Sequence, residues 1–144
     1  MKNILVAIDL DGNEQKLLDK AHEFGRAFNA KIWLIHIAAP NPDFVGFEAG
    51  PQYIRDERAT ELREEHQQLQ AYADALYNKG IEADGLLVQG ATLDMILEES
   101  KKLNIDLIII GHTEHNFIYK AIYGSVSLET VKQAAIPVLT VPIG

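Results

Sequence analysis

The sequence predicts an α/β fold: a doubly wound five-stranded parallel sheet of order 3-2-1-4-5 with helices on both faces. Two patterns predict it. Five short runs are rich in Val, Ile and Leu, and segments with apolar residues at helical spacing separate them. Runs so uniformly apolar suit strands buried on both faces, and their alternation with helices requires right-handed crossovers between parallel neighbours. The strand order is a fold-level inference rather than a reading of individual residues.

The first strand is expected over Ile4 to Ile8 and the second over Ile32 to Ile37; between them Leu17, Leu18, Ala21, Phe24, Gly25 and Phe28 give one helix an apolar face. Leu62, His66, Leu69, Ala73 and Leu76 repeat that spacing before a third strand at Gly85 to Val88. Leu93, Ile96, Leu97 and Ser100 form the next helix, before Leu107 to Ile110. Leu128, Val131 and Ala135 supply a last helix that Pro137 stops, and Pro137 to Val141 is the fifth strand. The stretch Ala38 to Tyr53 is long for a connection in a compact domain. It reads either as a lid or as a mobile link in which Phe44, Phe47 and Tyr53 pack locally.

Composition narrows the function classes. The 144 residues suit a single domain spanning 1–144, and 47% hydrophobic content is ordinary for a globular protein. No apolar run reaches the roughly 18 residues of a membrane span, and Met1 leads directly into the first apolar run, so no membrane partner and a cytoplasmic location are expected. The net charge of −8 argues against nucleic acid, which demands a concentrated basic surface. The absence of cysteine excludes disulfides and thiolate metal sites.

In doubly wound sheets ligands bind beyond the carboxyl ends of the strands, where the winding reverses. For the expected order that point lies between strand one, which Asp9 leaves, and strand four, which Gly111 leaves. The run Gly111-His112-Thr113-Glu114 and the later Gly124-Ser125 place glycines and a hydroxyl at a strand end and a helix start, a combination suited to phosphate. Other phosphate motifs fail. The loop Asp9-Leu10-Asp11-Gly12-Asn13 is neither G-x-G-x-x-G nor a P-loop. Asp9 and Asp11 suggest the paired carboxylates of a phospho-receiver, but Gly90-Ala91-Thr92 stands where its acceptor Asp belongs. A Ser125, His112 and Asp9 triad lacks the G-x-S-x-G turn, so no catalytic residue is assigned.

Asp9, Gly90 and the run Gly111-x2-Glu114-x9-Gly124-Ser125, together with the strand pattern and the terminal Ile136-Pro137-Val138-Leu139-Thr140-Val141, resemble the universal stress protein family over essentially the whole chain. The nucleotide-binding branch of that family carries G-x2-G-x9-G-[ST]. The resemblance implies an adenine-nucleotide site for ATP or AMP, with Mg²⁺ accompanying ATP, in a regulatory or stress-response module with little or no hydrolysis. It also implies a homodimer built on the last strand. Asp9 would meet the adenine or adenosine end and Ile37 would line the base. Gly111 would approach the ribose and phosphates, which Gly124 and Ser125 would bind.

Glu114 departs from the motif, standing where the family pattern has glycine. A carboxylate ~6 Å from a phosphate charge costs about 3 kcal/mol at an effective dielectric of 20, and below about 1 kcal/mol if it swings into water. A second reading is therefore an interaction protein of the same fold that has lost the ligand. Simpler structural roles also exist: Asp9 as a cap or turn residue, Gly111 and Gly124 as turn glycines, Ser125 as an N-cap. Among the five histidines, His36 and His66 are expected at hydrogen-bonded core or boundary positions and His22 in solvent. His112 and His115 lie in the proposed phosphate loop.

Overall fold

A computed structural model describes residues 1–38, 52–112 and 125–143, with the backbone alone at 52–55 and 125–127. In chain order the elements are β1 (Asn3–Ala7), α1 (Gln15–Phe28), β2 (Lys31–Ala38), α2 (Gln52–Asn78), β3 (Ala83–Gln89), α3 (Thr92–Lys102), β4 (Leu107–His112), α4 (Ser125–Gln133) and β5 (Val138–Pro142). The five strands form one sheet in the order β3-β2-β1-β4-β5, and every pairing is parallel. This is the expected architecture.

Strand side chains alternate between two faces, and the central strands are apolar at both. Ile4, Val6, Ile8, Ile32, Leu34, Leu107 and Ile109 pack against Leu17, Leu18 and Ala21 of α1 and Leu69, Ala73 and Leu76 of α2. On the other face Leu5, Ile35, Ile108 and Ile110 pack with Ile96 of α3 and with Ala134 just beyond α4. Asn29, in the left-handed conformation, ends α1 by donating its backbone N–H to the Gly25 carbonyl.

Gly25 lets α1 pack tightly against Ile81 and the sheet residue Ile32. A Cβ there would lie 2.9 Å from Ile81 Cγ2 and 3.2 Å from Ile32 Cγ1. Alanine gains about 1 kcal/mol of helix propensity, but overpacking costs about 1–3 kcal/mol. Gly25→Ala is expected to be destabilised by up to about 2 kcal/mol in urea denaturation; a more stable variant would show that the Ile81 side chain yields freely.

Several expected details shift. β5 begins and ends one residue later than expected, and β4 continues beyond Ile110 through Gly111 and His112. Ala38 belongs to β2, while Gln52 and Tyr53 open α2, which starts ten residues before Leu62; the intervening 39–51 lies outside the described residues. In α2, Leu69, Ala73 and Leu76 are buried as expected but His66 is exposed. His66 stands one residue off the stripe, and Glu65 and Tyr72 occupy the half-buried flank instead. The expected face of α4 is also wrong: Leu128, Val131 and Ala135 are exposed, while Thr130 is fully buried. Nine residues are too few for periodicity to fix a face, and the helix stops at Gln133, well before Pro137. His22 is half-buried rather than solvated, and Phe28, 46% exposed, leans on Phe24 with ring centroids 6.0 Å apart.

Candidate functional site at the strand carboxyl ends

The winding reverses between β1 and β4, where consecutive connections leave toward opposite faces and a crevice opens. β1 pairs with β2 through Ala7↔Ile35 and with β4 through Val6↔Ile109. Extended past the strand ends, these registers set Asp9 level with Ile37 and Ile8 level with Gly111. Three of the residues singled out from sequence therefore meet at the ends of adjacent strands. Ser125 is the first residue of α4. Glu114, Gly124 and His115 lie outside the described residues.

Asp9 is exposed at the mouth of the crevice, yet protein crowds its carboxylate from several sides. Desolvation first, then the charge of Asp11, push its pKa above 3.8; His36 opposes the rise and Glu14 adds to it. A carboxylate so placed suits acceptance of hydrogen bonds from a neutral polar group such as an exocyclic amine. Ile37 is half-buried in the cluster that includes Val88 and Ile35, so it offers an apolar wall.

Gly111 sits in regular strand, level with Val141 of β5. A Cβ there would lie 2.7 Å from Ile143 Cδ1, and the Ile143 N–H donates to the His112 carbonyl at 2.9 Å. The glycine thus admits Ile143 over the end of β4. Gly90, after β3, has φ +151° and donates its N–H to the Ala38 carbonyl; a Cβ there would meet Met95 Cγ at 2.8 Å. Both the backbone angle and the space therefore demand glycine.

Sequence reasoning missed the polar framework behind Asp9. Glu14 occupies the N-cap position of α1 but does not cap the helix with its side chain. It is 4% exposed; its Oε2 accepts the Gly12 N–H at 2.8 Å and its Oε1 accepts the Tyr72 hydroxyl at 2.6 Å. Donation to Glu14 holds the Tyr72 proton and raises its pKa above 10.0, with desolvation adding to the rise. On the other side of Asp9, His36 Nδ1 lies 2.8 Å from the Ile8 carbonyl. A carbonyl only accepts, so Nδ1 carries the proton and Nε2 faces Glu65 Oε2 at 3.6 Å. His36 is the hydrogen-bonded boundary residue expected. The signal in sequence was an acidic residue at a helix start, a position that ordinarily suggests only favourable placement in the helix dipole.

A depression of about 510 Å³ opens at the opposite end of the sheet, lined by Gly25, Arg26, Asn29, Lys79 and Gly80 among others. It lies at the carboxyl ends of α1 and α2, whose carbonyls disfavour an anion.

A doubly wound parallel sheet with Asp9, Ile37 and Gly111 at the strand ends of its reversal point places the chain among open α/β proteins, the class in which ligands bind at that point. The chain belongs to the universal stress protein family, whose sequence profile matches residues 1–142. Universal stress protein A homolog 2 of Coxiella burnetii is 32% identical over 145 residues, covering 99% of this chain and 95% of the relative. Among solved structures, the fold is similar to that of a universal stress protein family protein from Arabidopsis thaliana with AMP bound: TM-score 0.65, 20% identity, coverage 100% of this chain and 93% of that one. The universal stress protein from Archaeoglobus fulgidus in complex with dAMP is similar with TM-score 0.61 and 21% identity, covering 97% of each chain. No helix among the described residues is long and apolar enough to cross a membrane.

Proposed function

We propose that this chain is an adenine-nucleotide-binding regulatory module of the stress response, taking AMP or ATP in the crevice between β1 and β4, in the cytoplasm. The observation that carries the reading is the convergence of Asp9, Ile37 and Gly111 on the carboxyl ends of three adjacent strands at the winding reversal. Asp9 would accept from the adenine or adenosine end, Ile37 would wall the base, and the backbone of Gly111 would approach the ribose and phosphates. Gly124 and Ser125 would bind phosphate at the start of α4. If ATP is the ligand, Mg²⁺ enters with it and screens the terminal phosphates. Two similar folds that hold AMP and dAMP support the reading. No general base or electrophile is assigned, so hydrolysis is expected to be slow or absent.

Denaturing the purified protein and analysing the released small molecules tests the site. Stoichiometric AMP or ATP is the expected result; a clean chain that also ignores added nucleotide would overturn it. That second outcome fits a non-nucleotide-binding interaction protein of the same fold, the reading that Glu114 favours.

The homodimer proposal rests on β5, which is an edge strand of the sheet among the described residues, a position that offers backbone groups for pairing. Exposed Leu128 and Val131 on the neighbouring α4 add apolar surface that a symmetry mate would cover. Light scattering at micromolar concentration should give twice the 16.0 kDa chain mass; a monomer would exclude the dimer at that concentration.

A further inference from the structure

We infer that Glu14 and Tyr72 are positioning residues: they clasp the loop carrying Asp9 to α2 and so hold the adenine-recognising carboxylate in place. The inference rests on the nucleotide reading for its consequence, but the clasp itself is a property of the unliganded protein.

Leu10 packs against the buried cluster and anchors the start of the loop, while the polar stretch that follows needs partners of its own. Asp9 to Asn13 leaves β1 with Gly12 at φ +95°, a conformation open to glycine, and a local turn in which Asn13 N–H donates to Asp11 Oδ1 at 3.0 Å. Neither feature connects the loop to the body of the protein. Glu14 does so with both carboxylate oxygens. One accepts the Gly12 N–H and the other the hydroxyl of Tyr72, 58 residues away on α2. The side chain is buried, so each oxygen needs its partner, and losing one leaves an acceptor unsatisfied. Tyr72 is further fixed by Gln68 Nε2, which donates to its hydroxyl oxygen at 3.3 Å, and its ring packs against the buried cluster.

The geometry brackets Asp9. On the strand side, the Ile8 carbonyl receives His36 Nδ1–H, and His36 Nε2 faces Glu65 of α2. On the loop side, Gly12 is held through Glu14 to Tyr72 of the same helix. The Glu14 tether ends on α2, which is anchored to the sheet by Leu69, Ala73 and Leu76. The loop is thus held at its start by Leu10 on the core and by the Ile8–His36 hydrogen bond, and at its end by α2 through Glu14 and Tyr72. A crevice residue prearranged in this way loses less conformational freedom when a ligand arrives.

The test combines amide hydrogen exchange of the ligand-free protein, read by NMR, with calorimetric AMP titration. Glu14→Ala should accelerate Gly12 N–H exchange and weaken AMP about tenfold each, as loss of a hydrogen bond to a charged group suggests. Glu14→Gln keeps an amide oxygen for the Gly12 N–H and should restore both to within about threefold of wild type. Tyr72→Phe should shift both in the direction of Glu14→Ala, and it decides the matter if Glu14→Ala fails to fold. Exchange at Leu5 and Ile109 in the core should accelerate less than exchange at Gly12, which separates loop release from global destabilisation. Gly12 exchange at the wild-type rate in Glu14→Ala and Tyr72→Phe would overturn the clasp. Faster exchange with wild-type AMP affinity would overturn its role in positioning Asp9. If the wild type binds no AMP, the nucleotide reading has failed, and the Gly12 exchange rates alone decide the clasp.

Discussion

Asp9→Asn is expected to weaken AMP binding by about 10- to 100-fold while leaving the unliganded protein as stable as wild type, or slightly more stable, near neutral pH. The binding loss follows from replacing a charged acceptor with a neutral amide; hydrogen bonds to charged groups contribute about 1.5–3 kcal/mol. The stability effect follows from the raised pKa of Asp9. Between 3.8 and its higher folded-state value, the folded protein holds more protons than the unfolded chain, so stability falls as pH rises through that window. Above the window ionised Asp9 is a net cost, which asparagine removes. Below 3.8 both states are protonated and the advantage disappears. Solvent access at the crevice mouth screens the effect, so the gain near pH 7 should stay under about 0.5 kcal/mol. Calorimetric titration with AMP and denaturant melts at pH 7 and below 3.8 check both halves. A marked loss of stability at pH 7 would show that Asp9 is chiefly a structural cap.

Glu114→Gly is expected to tighten ATP binding by as much as about 100-fold without Mg²⁺, the equivalent of the ~3 kcal/mol repulsion between a poorly solvated carboxylate and a phosphate at ~6 Å. AMP should gain less, because a triphosphate places more charge along the loop. The substitution also restores the glycine of the G-x2-G-x9-G-[ST] spacing and with it access to positive φ. Mg²⁺ should narrow the difference between wild type and variant by screening the terminal phosphates. Paired titrations of ATP and AMP, at low salt with and without Mg²⁺, measure the effect. Equal or weaker ATP binding by the variant would place Glu114 away from the phosphates or make it a support of the loop.

The sheet was legible because its signals are strong and redundant. Ile4, Leu5 and Val6, like Ile108 and Ile109, are apolar on consecutive positions in short runs rich in β-branched residues, as a strand covered on both faces requires. Asp9, Ile37 and Gly111 could be placed together because all three sit at strand ends, whose position follows from the topology. Side-chain partners formed by tertiary contact were not legible. Nothing in the local sequence connects Glu14 to Tyr72 or His36 to Glu65, since each pair joins elements distant in the chain. The exposed face of α4 misled for a related reason. Leu128 and Val131 carry the helical period as well as Thr130 and Ala134 do, and packing selects the second set. The role of Gly111 was only partly visible, because Ile143, which fills its missing side-chain space, lies beyond the last strand.

The central claim is that adenine nucleotide occupies the crevice between β1 and β4. Titrating AMP into the isotope-labelled, nucleotide-free protein while following backbone amide resonances tests it most directly. Saturable shifts concentrated at Asp9, Ile37, Gly111 and Ser125, with the far end of the sheet around Asn29 and Gly80 unmoved, are the result expected. An unchanged spectrum, or shifts centred on the Asn29–Gly80 end, would contradict it.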